Sequence, residues 1–318
     1  MAAEEAGFDQ LWVSHDLFLR SAPVLLAAAA TATTTIRLGT GILNPYSAHP
    51  VEAAMHAATL QELSGGRALL GIAAGAIEFL QLAGIDRPGP LRRTREAVLA
   101  CRALLGGRAP EGEDGTGTWA PSARLAADLT TGGAGVPVYV GAMSPRMLAM
   151  AGEVADGVLA LLYPPEHFPV AAAQVAAGAV AAGRDPASID LPACVWVSVD
   201  GDRDRAVAAL AEKLAFYGPS FASYLLLARA GLTAADFAPA AAALAGGRRP
   251  EAVALVTPAM LSLGIAGTPG DVVARSRRLL TAGATHLSFG PPLGPDPVEA
   301  VRLLGRQVVP LLRPPPEH

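Results

Sequence analysis

The chain has 318 residues, of which 52% are hydrophobic, and its formal net charge at pH 7 is -4. This length and apolar content are sufficient for one large core, and α/β barrels of this size commonly fold as a single domain. No cluster of basic residues stands out in a chain of this charge, so we expect no nucleic-acid partner.

Cysteine usage and hydropathy both bear on the location of the protein. Cys101 and Cys194 lie in apolar runs, which is typical of buried thiols rather than of a disulfide or a nucleophile. No apolar run that is free of both charges and helix breakers reaches about 18 residues, and the N-terminus lacks a basic segment followed by an apolar core. We therefore expect a cytoplasmic protein with no membrane partner and no signal peptide.

Short apolar runs rich in β-forming residues alternate with alanine- and leucine-rich runs. The predicted strands span residues 8–14, 36–43, 68–73, 136–141, 157–162, 193–199 and 285–290. The helices that follow them span residues 22–32, 51–63, 91–105, 145–155, 167–182, 203–217 and 298–312. Apolar strands separated by helices are typical of a parallel sheet covered on both faces, and seven such units favour a (β/α)8 TIM barrel.

Two longer segments interrupt the alternation. Residues 106–135 are rich in glycine, threonine and acidic residues, which predicts an inserted hairpin or loop. Residues 218–264 have a helical composition, with a break at Arg248-Arg249-Pro250, and they precede the last strand. We expect a single domain over residues 1–318 that carries these two insertions.

The N-terminus begins in a helical pattern, with Gly7 as a stop signal and Phe8 opening the first strand. A closed eight-stranded barrel has a further strand before that helix, and the chain as written supplies none. We therefore expect the first barrel strand to be missing, with a gap between the strands at 8–14 and 285–290. Unpaired strand edges promote aggregation, so the expectation is an upstream translation start or a poorly soluble chain.

The most informative segment is residues 36–50, Ile-Arg-Leu-Gly-Thr-Gly-Ile-Leu-Asn-Pro-Tyr-Ser-Ala-His-Pro. It starts as a strand and ends in turn-forming residues, and Pro50 opens an alanine-rich helix. Gly39 and Gly41 stand where a buried strand ordinarily carries valine or isoleucine. They indicate a bulge or a close approach of the backbone to another group. The pattern is that of a βα unit that presents its backbone to a ligand.

Several other segments belong to the same pattern. They are Glu62-Leu-Ser-Gly-Gly-Arg67, Leu70-Gly-Ile-Ala-Ala-Gly75, Val138-Tyr-Val-Gly-Ala-Met143, Glu153-Val-Ala-Asp-Gly157, Thr268-Pro-Gly-Asp-Val-Val273 and Gly283-Ala-Thr-His-Leu287. In this combination, the chain from about Ala3 to Leu312 resembles the luciferase-like monooxygenase superfamily. It is most similar to the branch that uses the deazaflavin coenzyme F420 and includes methylenetetrahydromethanopterin reductases.

The resemblance implies a (β/α)8 barrel with the coenzyme ring at its C-terminal mouth. It also implies a non-proline cis peptide in a bulge after the third barrel strand, which by motif match is Gly41–Ile42. The coenzyme-binding residues that it implies are Gly41 and Ile42 behind the ring, Asn44 and Gly75 at its flanks, and Gly141, Ala142 and Ser144 at its tail. Free amides at a helix start attract phosphate, although the loop that ends at Ser144 is equally compatible with an ordinary capped connection.

The candidate catalytic residues are His15 and Asp16, which follow the strand at 8–14, at the mouth where barrel chemistry takes place. A histidine beside an acid can relay protons or bind a polar ring edge, and the alternative is a surface histidine. The family pattern is Asp then His, and this chain has the reverse order. Because one step along an extended chain reverses the side-chain direction, the sequence leaves open which residue faces the pocket.

A second departure from the family pattern lies after Gly75. The family commonly has an acidic residue there, whereas this chain has Ala76, and the nearest acid is Glu78. We interpret Glu78 as a solvent-facing acid in the first turn of a helix. The departure weakens the case for a proton donor in this loop.

The resulting hypothesis is an F420-dependent oxidoreductase that transfers a hydride to or from a small organic substrate. The coenzyme supplies the chemistry and the protein supplies orientation and a dry pocket. One alternative is an FMN-dependent monooxygenase of the same superfamily that uses O2. Another is a non-catalytic or degenerate coenzyme-binding protein, which Ala76, the order of His15 and Asp16, and the absent strand favour. No metal site is expected, and a homodimer is left open.

Overall fold

The structure is a computed structural model that describes residues 1–111, 119–133, 135–218 and 230–313. The chain forms two compact units. Unit 1 holds residues 1, 9–159 and 174–190, and unit 2 holds residues 2–8 and 160–173 together with the described part of 191–318. The single domain expected from the sequence stays a prediction.

The described helices are α1 (Ala2–Glu5), α2 (Ala22–Ala32), α3 (Pro50–Ser64), α4 (Ile77–Leu82), α5 (Pro90–Leu105), α6 (Pro145–Val154), α7 (Phe168–Ala181), α8 (Arg203–Tyr217), α9 (Ala234–Ala245), α10 (Arg249–Ala254), α11 (Pro258–Leu261), α12 (Pro269–Thr281), α13 (Pro297–Gln307) and α14 (Val309–Leu312). The described strands are β1 (Gln10–Val13), β2 (Arg37–Thr40), β3 (Ala68–Ile72), β4 (Val138–Ala142), β5 (Gly157–Leu161), β6 (Ala193–Val199), β7 (Ile265–Gly267) and β8 (Leu287–Leu293). The predicted elements are present with ends shifted by a few residues, except that the helix predicted over residues 298–312 is divided at Val308 into α13 and α14. The short elements α4 and β7 and the helix α12 were not among them.

In unit 1 the strands are parallel and follow the order β1-β2-β3-β4, with β1 at the end of the row. Leu38 lies opposite Ala68, and Leu70 lies opposite Val138. These four side chains are at most 1% exposed. Near-complete burial of parallel strands is what the run of apolar residues predicted, because helices cover such sheets.

Arg67 joins several elements at the amino ends of β2 and β3. Its guanidinium donates to the carbonyl oxygens of Ser64, Ile36, Ala30 and Thr33 and to the hydroxyl of Thr33, at 2.7 to 3.0 Å. Two of these carbonyls belong to the end of α2, where backbone acceptors lack a donor within the helix. Arg67 therefore caps α2 and holds it against the start of the sheet.

The first insertion is a loop over its described residues. Residues 119–133 form turns and contain neither helix nor strand, and residues 112–118 and 134 lie outside the described part. The loop lies against the end of α3, where a Cβ on Gly66 would stand 2.6 Å from the Cα of Gly132. Gln61 also donates to the carbonyl of Thr131 at 3.0 Å. Gly132 thus permits a close backbone contact as well as a turn.

Unit 2 is built on β6, which pairs in parallel with β5, β7 and β8. Ala193 of β6 is paired with Ala160 and with Leu287. Helices α9, α10 and α11 confirm the helical character of the second insertion over its described residues, and residues 219–229 lie outside them. Helix α1, which the sequence predicted, packs on α13 at Gly305, where a Cβ would lie 2.3 Å from the carbonyl oxygen of Ala6.

Among the described helices, none is long and apolar enough to cross a bilayer. The gap expected between the strands at 8–14 and 285–290 stays a prediction.

Candidate functional site

The predicted site residues all lie in unit 1, in the loops at the carboxyl ends of successive parallel strands. His15 and Asp16 follow β1; Gly41, Ile42 and Asn44 follow β2; Gly75 follows β3; Gly141 and Ala142 end β4, and Ser144 precedes α6. The carboxyl ends of parallel strands meet at one edge of a sheet, and this edge carries the chemistry of α/β barrels. The sheet therefore brings these loops to one side of unit 1.

The backbone after β2 contains the expected bulge. The peptide bond between Gly41 and Ile42 is cis, which confirms the prediction made from the motif. The amide of Gly41 donates to the carbonyl of Val13 in β1 at 2.8 Å, and the amide of Leu43 donates to the carbonyl of Gly71 in β3 at 2.9 Å. The cis bond therefore lies between two anchors, one on each neighbouring strand.

The side chain of Ile42 packs over backbone on two further strands. A Cβ on Gly71 would lie 3.3 Å from the Cγ2 of Ile42, and a Cβ on Gly141 would lie 3.4 Å from the same atom. On Gly71 it would also lie 2.1 Å from the carbonyl oxygen of Thr40, so no side chain fits there. Glycine at these positions therefore makes room for the bulge itself.

The structure identifies the group that approaches the backbone at Gly39, which the sequence left open. A Cβ on Gly39 would lie 2.4 Å from the ring of Trp12, so the close approach of this backbone is to an aromatic side chain of β1. The Trp12 ring meets the ring of Tyr139 edge-on, with centroids 5.0 Å apart. Tyr139 in turn covers Gly157, where a Cβ would lie 2.1 Å from its ring. These aromatic rings fill the space that two glycines leave.

Tyr139 is held in place by a carboxylate. Its hydroxyl donates to Oδ2 of Asp190 at 2.7 Å. Burial, the negative charge of Asp190 and this hydrogen bond raise the pKa of the Tyr139 phenol above its usual range. The phenol is therefore protonated at any physiological pH, and Tyr139 supports Trp12 rather than handling protons.

Asn44 and Gly75, the two residues expected at the flanks of the ring, are in contact. A Cβ on Gly75 would lie 3.0 Å from the Cβ of Asn44, and the φ of Gly75 is +75°, a conformation that favours glycine. Asn44 is 5% exposed. Its Oδ1 accepts from the amides of Tyr46 and Ser47 at 3.1 and 3.0 Å, and its Nδ2 donates to the hydroxyl of Ser47 at 2.8 Å. These bonds fix the amide and leave one Nδ2 hydrogen for another acceptor.

His15 has a structural contact that the sequence did not reveal. Its Nδ1 accepts the amide of Ala22, the first residue of α2, at 3.1 Å. A neutral imidazole that accepts at Nδ1 carries its proton at Nε2. Burial and then the charge of His56 lower the pKa of His15, and the smaller effect of Asp16 opposes them. His15 is therefore neutral near pH 7 and presents an Nε2–H donor.

Ser144 caps the helix after β4, as the sequence predicted. Its Oγ accepts the amide of Met147 at 3.3 Å, and Pro145 is the first residue of α6. Ala142 is 2% exposed and packs in unit 1. The geometry is that of a capped βα connection, and the role of this loop in holding a coenzyme tail stays a prediction.

The guanidinium of Arg87 also lies beside these loops, and it was not among the residues predicted from the sequence. Nη1 of Arg87 donates to the carbonyl of Gly75 at 2.7 Å, and the hydroxyl of Tyr46 donates to the carbonyl of Pro88 at 2.8 Å. The segment around α4 is thus tied to the loops after β2 and β3. The run of arginines from Arg87 to Arg95 was the signal that could have drawn attention to it.

Both cysteines are buried thiols and neither forms a disulfide, which confirms the prediction. Cys101 donates to the carbonyl of Pro50 at 3.3 Å, and burial raises the pKa of its thiol to about 12. Such a thiol is unreactive at neutral pH. Within the described ranges, no group of three or more His, Cys, Asp and Glu side chains is placed to hold a metal ion.

Unit 2 has an open groove of about 700 Å³ along α8 and the segment that ends β8. Lys213 lies in its wall, 4.4 Å from the ring centroids of Trp196 and Tyr217. The cis bond Pro291–Pro292 lies in the wall as well. None of the residues predicted from the sequence lines this groove, so its volume is no guide to the candidate site.

The elements and the site together define a class of protein. Parallel strands lead into helices, and a bulged backbone and several glycines lie at the carboxyl ends of the strands. This arrangement is that of an α/β barrel-type enzyme, in which the loops at the carboxyl ends of the strands carry the active site.

The chain belongs to the luciferase-like monooxygenase family, whose model matches residues 1–286. It is 36% identical to the 5,10-methylenetetrahydromethanopterin reductase of Methanolobus tindarius over 309 residues, which are 96% of this chain and 93% of the relative. It is 35% identical to the protein of the same name from Archaeoglobus fulgidus over 316 residues, which are 98% of this chain and 93% of the relative.

A solved structure agrees with this assignment. The coenzyme F420-dependent tetrahydromethanopterin reductase from Methanopyrus kandleri superposes with a TM-score of 0.88 and 33% sequence identity, covering 98% of this chain and 93% of that one. The predicted α/β TIM-barrel fold class and the resemblance to this family are thereby confirmed.

Proposed function

We propose that this protein is an oxidoreductase that uses coenzyme F420 and transfers a hydride to or from a small organic substrate. The observation that carries the proposal is the backbone bulge at Gly41 and Ile42, which is hydrogen-bonded to β1 and to β3 at the carboxyl ends of the strands of unit 1. Relatives that match nearly the whole chain are named as methylenetetrahydromethanopterin reductases, and the superposed structure is an F420-dependent enzyme.

Gly41 and Ile42 would back the coenzyme ring. Because the bulge is hydrogen-bonded to β1 and β3, and Ile42 packs over Gly71 and Gly141, this wall has little freedom to move. A preformed wall orients a flat ring without a reorganisation cost when the ring binds. When bound, the coenzyme supplies the carbon that carries the hydride.

Asn44 and Gly75 would flank the ring. The amide of Asn44 is already fixed by Tyr46 and Ser47, so its remaining Nδ2 hydrogen has a defined direction. Gly75 keeps the space beside Asn44 open, since a Cβ there would press on it. Gly141, Ala142 and Ser144 would hold the tail through the free amides at the start of α6.

His15 and Asp16 are the proposed proton-handling pair. The neutral His15 can donate from Nε2, and the lowered pKa lets it take up and release a proton below neutral pH. Its Nδ1 is occupied by the start of α2, so the direction of the ring is set. The test is to measure kcat as a function of pH for the variants His15→Asn and Asp16→Asn. If both variants keep the pH dependence of the wild type, neither residue handles a proton in the reaction.

The choice of coenzyme is tested by fluorescence titration of the purified protein with F420 and with FMN. We expect tighter binding of F420. A yellow preparation that carries FMN, or tighter FMN binding, would establish the monooxygenase alternative. Binding of F420 without turnover of any substrate, including methylenetetrahydromethanopterin as the first to test, would establish the degenerate protein.

The bulge is tested by Gly41→Val. A Cβ on Gly41 would meet the Cβ of Trp12 at 3.4 Å, an ordinary contact, so we expect the variant to fold. The added methyl groups should crowd the coenzyme ring and weaken F420 binding by about tenfold, which corresponds to about 1.4 kcal/mol. Unchanged affinity in a folded variant would show that the ring lies elsewhere. The cytoplasmic location and the homodimer left open by the sequence stay predictions.

A further inference from the structure

The indole of Trp12 lies against the part of β2 that leads into the bulge. Trp12 is the cross-strand partner of Gly39 in the pairing of β1 with β2. A Cβ on Gly39 would lie 2.4 to 2.8 Å from three atoms of the indole, and a Cβ on Gly41 would lie 3.4 Å from the Cβ of Trp12 and 3.9 Å from its Cε3. Residues two apart on an extended chain face the same side, so one indole covers both glycines. Gly41 is also where the bulge begins.

The indole is fixed by two contacts of its own. Its Nε1 donates to Oε1 of Gln10 in β1 at 2.9 Å. Its ring meets the ring of Tyr139 with the centroids 5.0 Å apart and the ring planes at 72°, the edge-to-face arrangement that aromatic pairs favour. The ring of Trp12 therefore has a set orientation against β2.

Tyr139 is held in its turn by Asp190. Tyr139 is 3% exposed, and its hydroxyl donates to Oδ2 of Asp190 at 2.7 Å. The backbone of Asp190 is bonded as well: its amide donates to the carbonyl of Asp156 at 3.0 Å, and its carbonyl accepts the amide of Val158 at 2.8 Å. A continuous series of contacts therefore runs from Asp190 through Tyr139 and Trp12 to β2.

The carboxyl end of β2 depends on this series for its packing. The three atoms nearest to a Cβ on Gly39 all belong to Trp12, and so do the two nearest to a Cβ on Gly41. Neither glycine has a side chain that could fill the space itself. Because protein interiors are close-packed, removal of the indole would leave a gap beside the residues that lead into the bulge, and the backbone there would gain freedom.

We propose that Trp12 is a positioning residue for the bulge and, through the bulge, for the coenzyme ring. Its indole sets where the backbone of Gly39 and Gly41 lies, and that backbone continues into the wall that Ile42 completes. A site of this kind has to be held within about 0.5 Å by neighbours that are themselves locked by packing and hydrogen bonds. The place of the ring on this wall rests on the proposed function, whereas the effect of Trp12 on the bulge does not.

The first test needs no coenzyme and measures amide hydrogen exchange by NMR. The matched control is Trp196→Leu, which removes another half-buried indole, in contact with a tyrosine ring of unit 2. In Trp12→Leu, the amides of Gly41 and Leu43 should exchange at least about tenfold faster relative to the amide of Arg37 at the start of β2, and in the control this ratio should be unchanged. The comparison with Arg37 removes the effect of a general loss of stability. An unchanged ratio in Trp12→Leu would overturn the proposal.

The second test measures F420 affinity at a temperature at which each variant is folded. We expect Trp12→Leu to bind F420 at least about tenfold more weakly than the wild type, and Trp196→Leu to bind it equally well. Trp12→Phe keeps a ring over Gly39 and should recover most of the affinity. Tyr139→Phe removes only the bond to Asp190 and should lie between the wild type and Trp12→Leu. Equally weak binding by Trp12→Phe and Trp12→Leu would show that the ring over Gly39 does not position the site.

The two tests together separate this proposal from the proposed function. Faster exchange at the bulge of Trp12→Leu, in a protein whose wild type binds no F420, would reject the function and leave the role of Trp12 in positioning the bulge intact. Faster exchange with unchanged F420 affinity would show that the indole supports the fold alone, and would overturn the role toward the coenzyme. Should Trp12→Leu fail to fold, Tyr139→Phe is compared with the wild type in both tests, and identical exchange and affinity would then overturn the proposal.

Discussion

The two ends of β2 and β3 in unit 1 are built in opposite ways. At the carboxyl ends, backbone dominates: a cis bond follows Gly41, and Gly71 and Gly75 lie where no side chain fits without strain or collision. At the amino ends, a side chain dominates: Arg67 makes five hydrogen bonds that join α2, α3 and β2.

The difference shows how one strand pair serves two purposes. A backbone surface that binds a flat coenzyme ring has to come close to the ring. Glycine allows this close approach, at a cost in the conformational entropy of the chain. The half-buried guanidinium of Arg67 links these elements at the far end, where no ligand has to enter. In barrel enzymes the face at the carboxyl ends of the strands carries the active site, and the face at the amino ends contributes to stability.

Replacing Arg67 by Leu should have the largest effect on stability. Four carbonyls and one hydroxyl lose their donor, including the acceptors at the end of α2, and we expect a loss of about 3 kcal/mol in the free energy of unfolding. Urea denaturation gives the value, with Arg108→Leu as an exposed control that should change it by less than about 0.5 kcal/mol. F420 affinity of the folded variant should be unchanged. A loss as small as the control's would show that Arg67 is not a structural centre.

Replacing Gly75 by Ala should damage both stability and the site. Its φ of +75° costs an L-residue about 1–2 kcal/mol, and the new Cβ would press on Asn44 at 3.0 Å. The matched control is Gly84→Ala, which has a φ of +68° with no atom within 4 Å of the new Cβ. Both variants should lose similar stability in urea denaturation, and only Gly75→Ala should weaken F420 binding. Equal binding in the two variants would remove Asn44 from the site.

Several of these features could be predicted from the sequence, and others could not. The sequence singled out Gly75 and the Gly41–Ile42 bond because each lies in a local glycine pattern and also in a motif of the family. Element order was predictable for the same reason: apolar periodicity is a local signal. The order of His15 and Asp16 left open which of them faces the pocket; the structure shows that Nδ1 of His15 lies at the start of α2, and which residue faces the pocket stays a prediction.

Long-range contacts were beyond the sequence. Arg67 was noted only as the end of a motif, since its acceptors stand more than 30 positions earlier for Ala30, Thr33 and Ile36. The contact between Trp12 and Tyr139 joins β1 to β4, and no local pattern encodes it. The sequence indicated a bulge or a close approach of the backbone at Gly39, and only the structure identifies the approaching group as Trp12.

His15 offers a pH-dependent test at the mouth. Its pKa is lowered in the folded state from the usual 6.5, so its contribution to stability is complete above that value and is lost as the pH falls through the lower folded-state value. We expect the Tm of the wild type to fall between about pH 7 and pH 5 more steeply than that of His15→Asn, whose Oδ1 replaces Nδ1 as acceptor and does not titrate.

The variant His15→Ala separates the effect of the lost acceptor at the start of α2 from the effect of the imidazole charge. His15→Ala leaves the amide of Ala22 without its acceptor, so a loss of about 1 kcal/mol at pH 8 is expected, with a flat pH dependence. Identical pH slopes for wild type, His15→Asn and His15→Ala would show that His15 does not titrate in this range, and the proton-handling role would fall with it.

Ser144 is the case in which the expected effect is smallest. Its bond to the amide of Met147 is long, at 3.3 Å, so Ser144→Ala should cost about 0.5 kcal/mol, the low end for an N-cap. Ser144→Asp keeps an acceptor for the cap and places a negative charge where the tail phosphate is proposed to lie. If the loop holds the tail, Ser144→Asp should be as stable as the wild type yet bind F420 at least about tenfold more weakly, because like charges repel at short range. If Ser144→Asp binds F420 as well as the wild type does, the loop after β4 is only a capped connection, and the tail lies elsewhere.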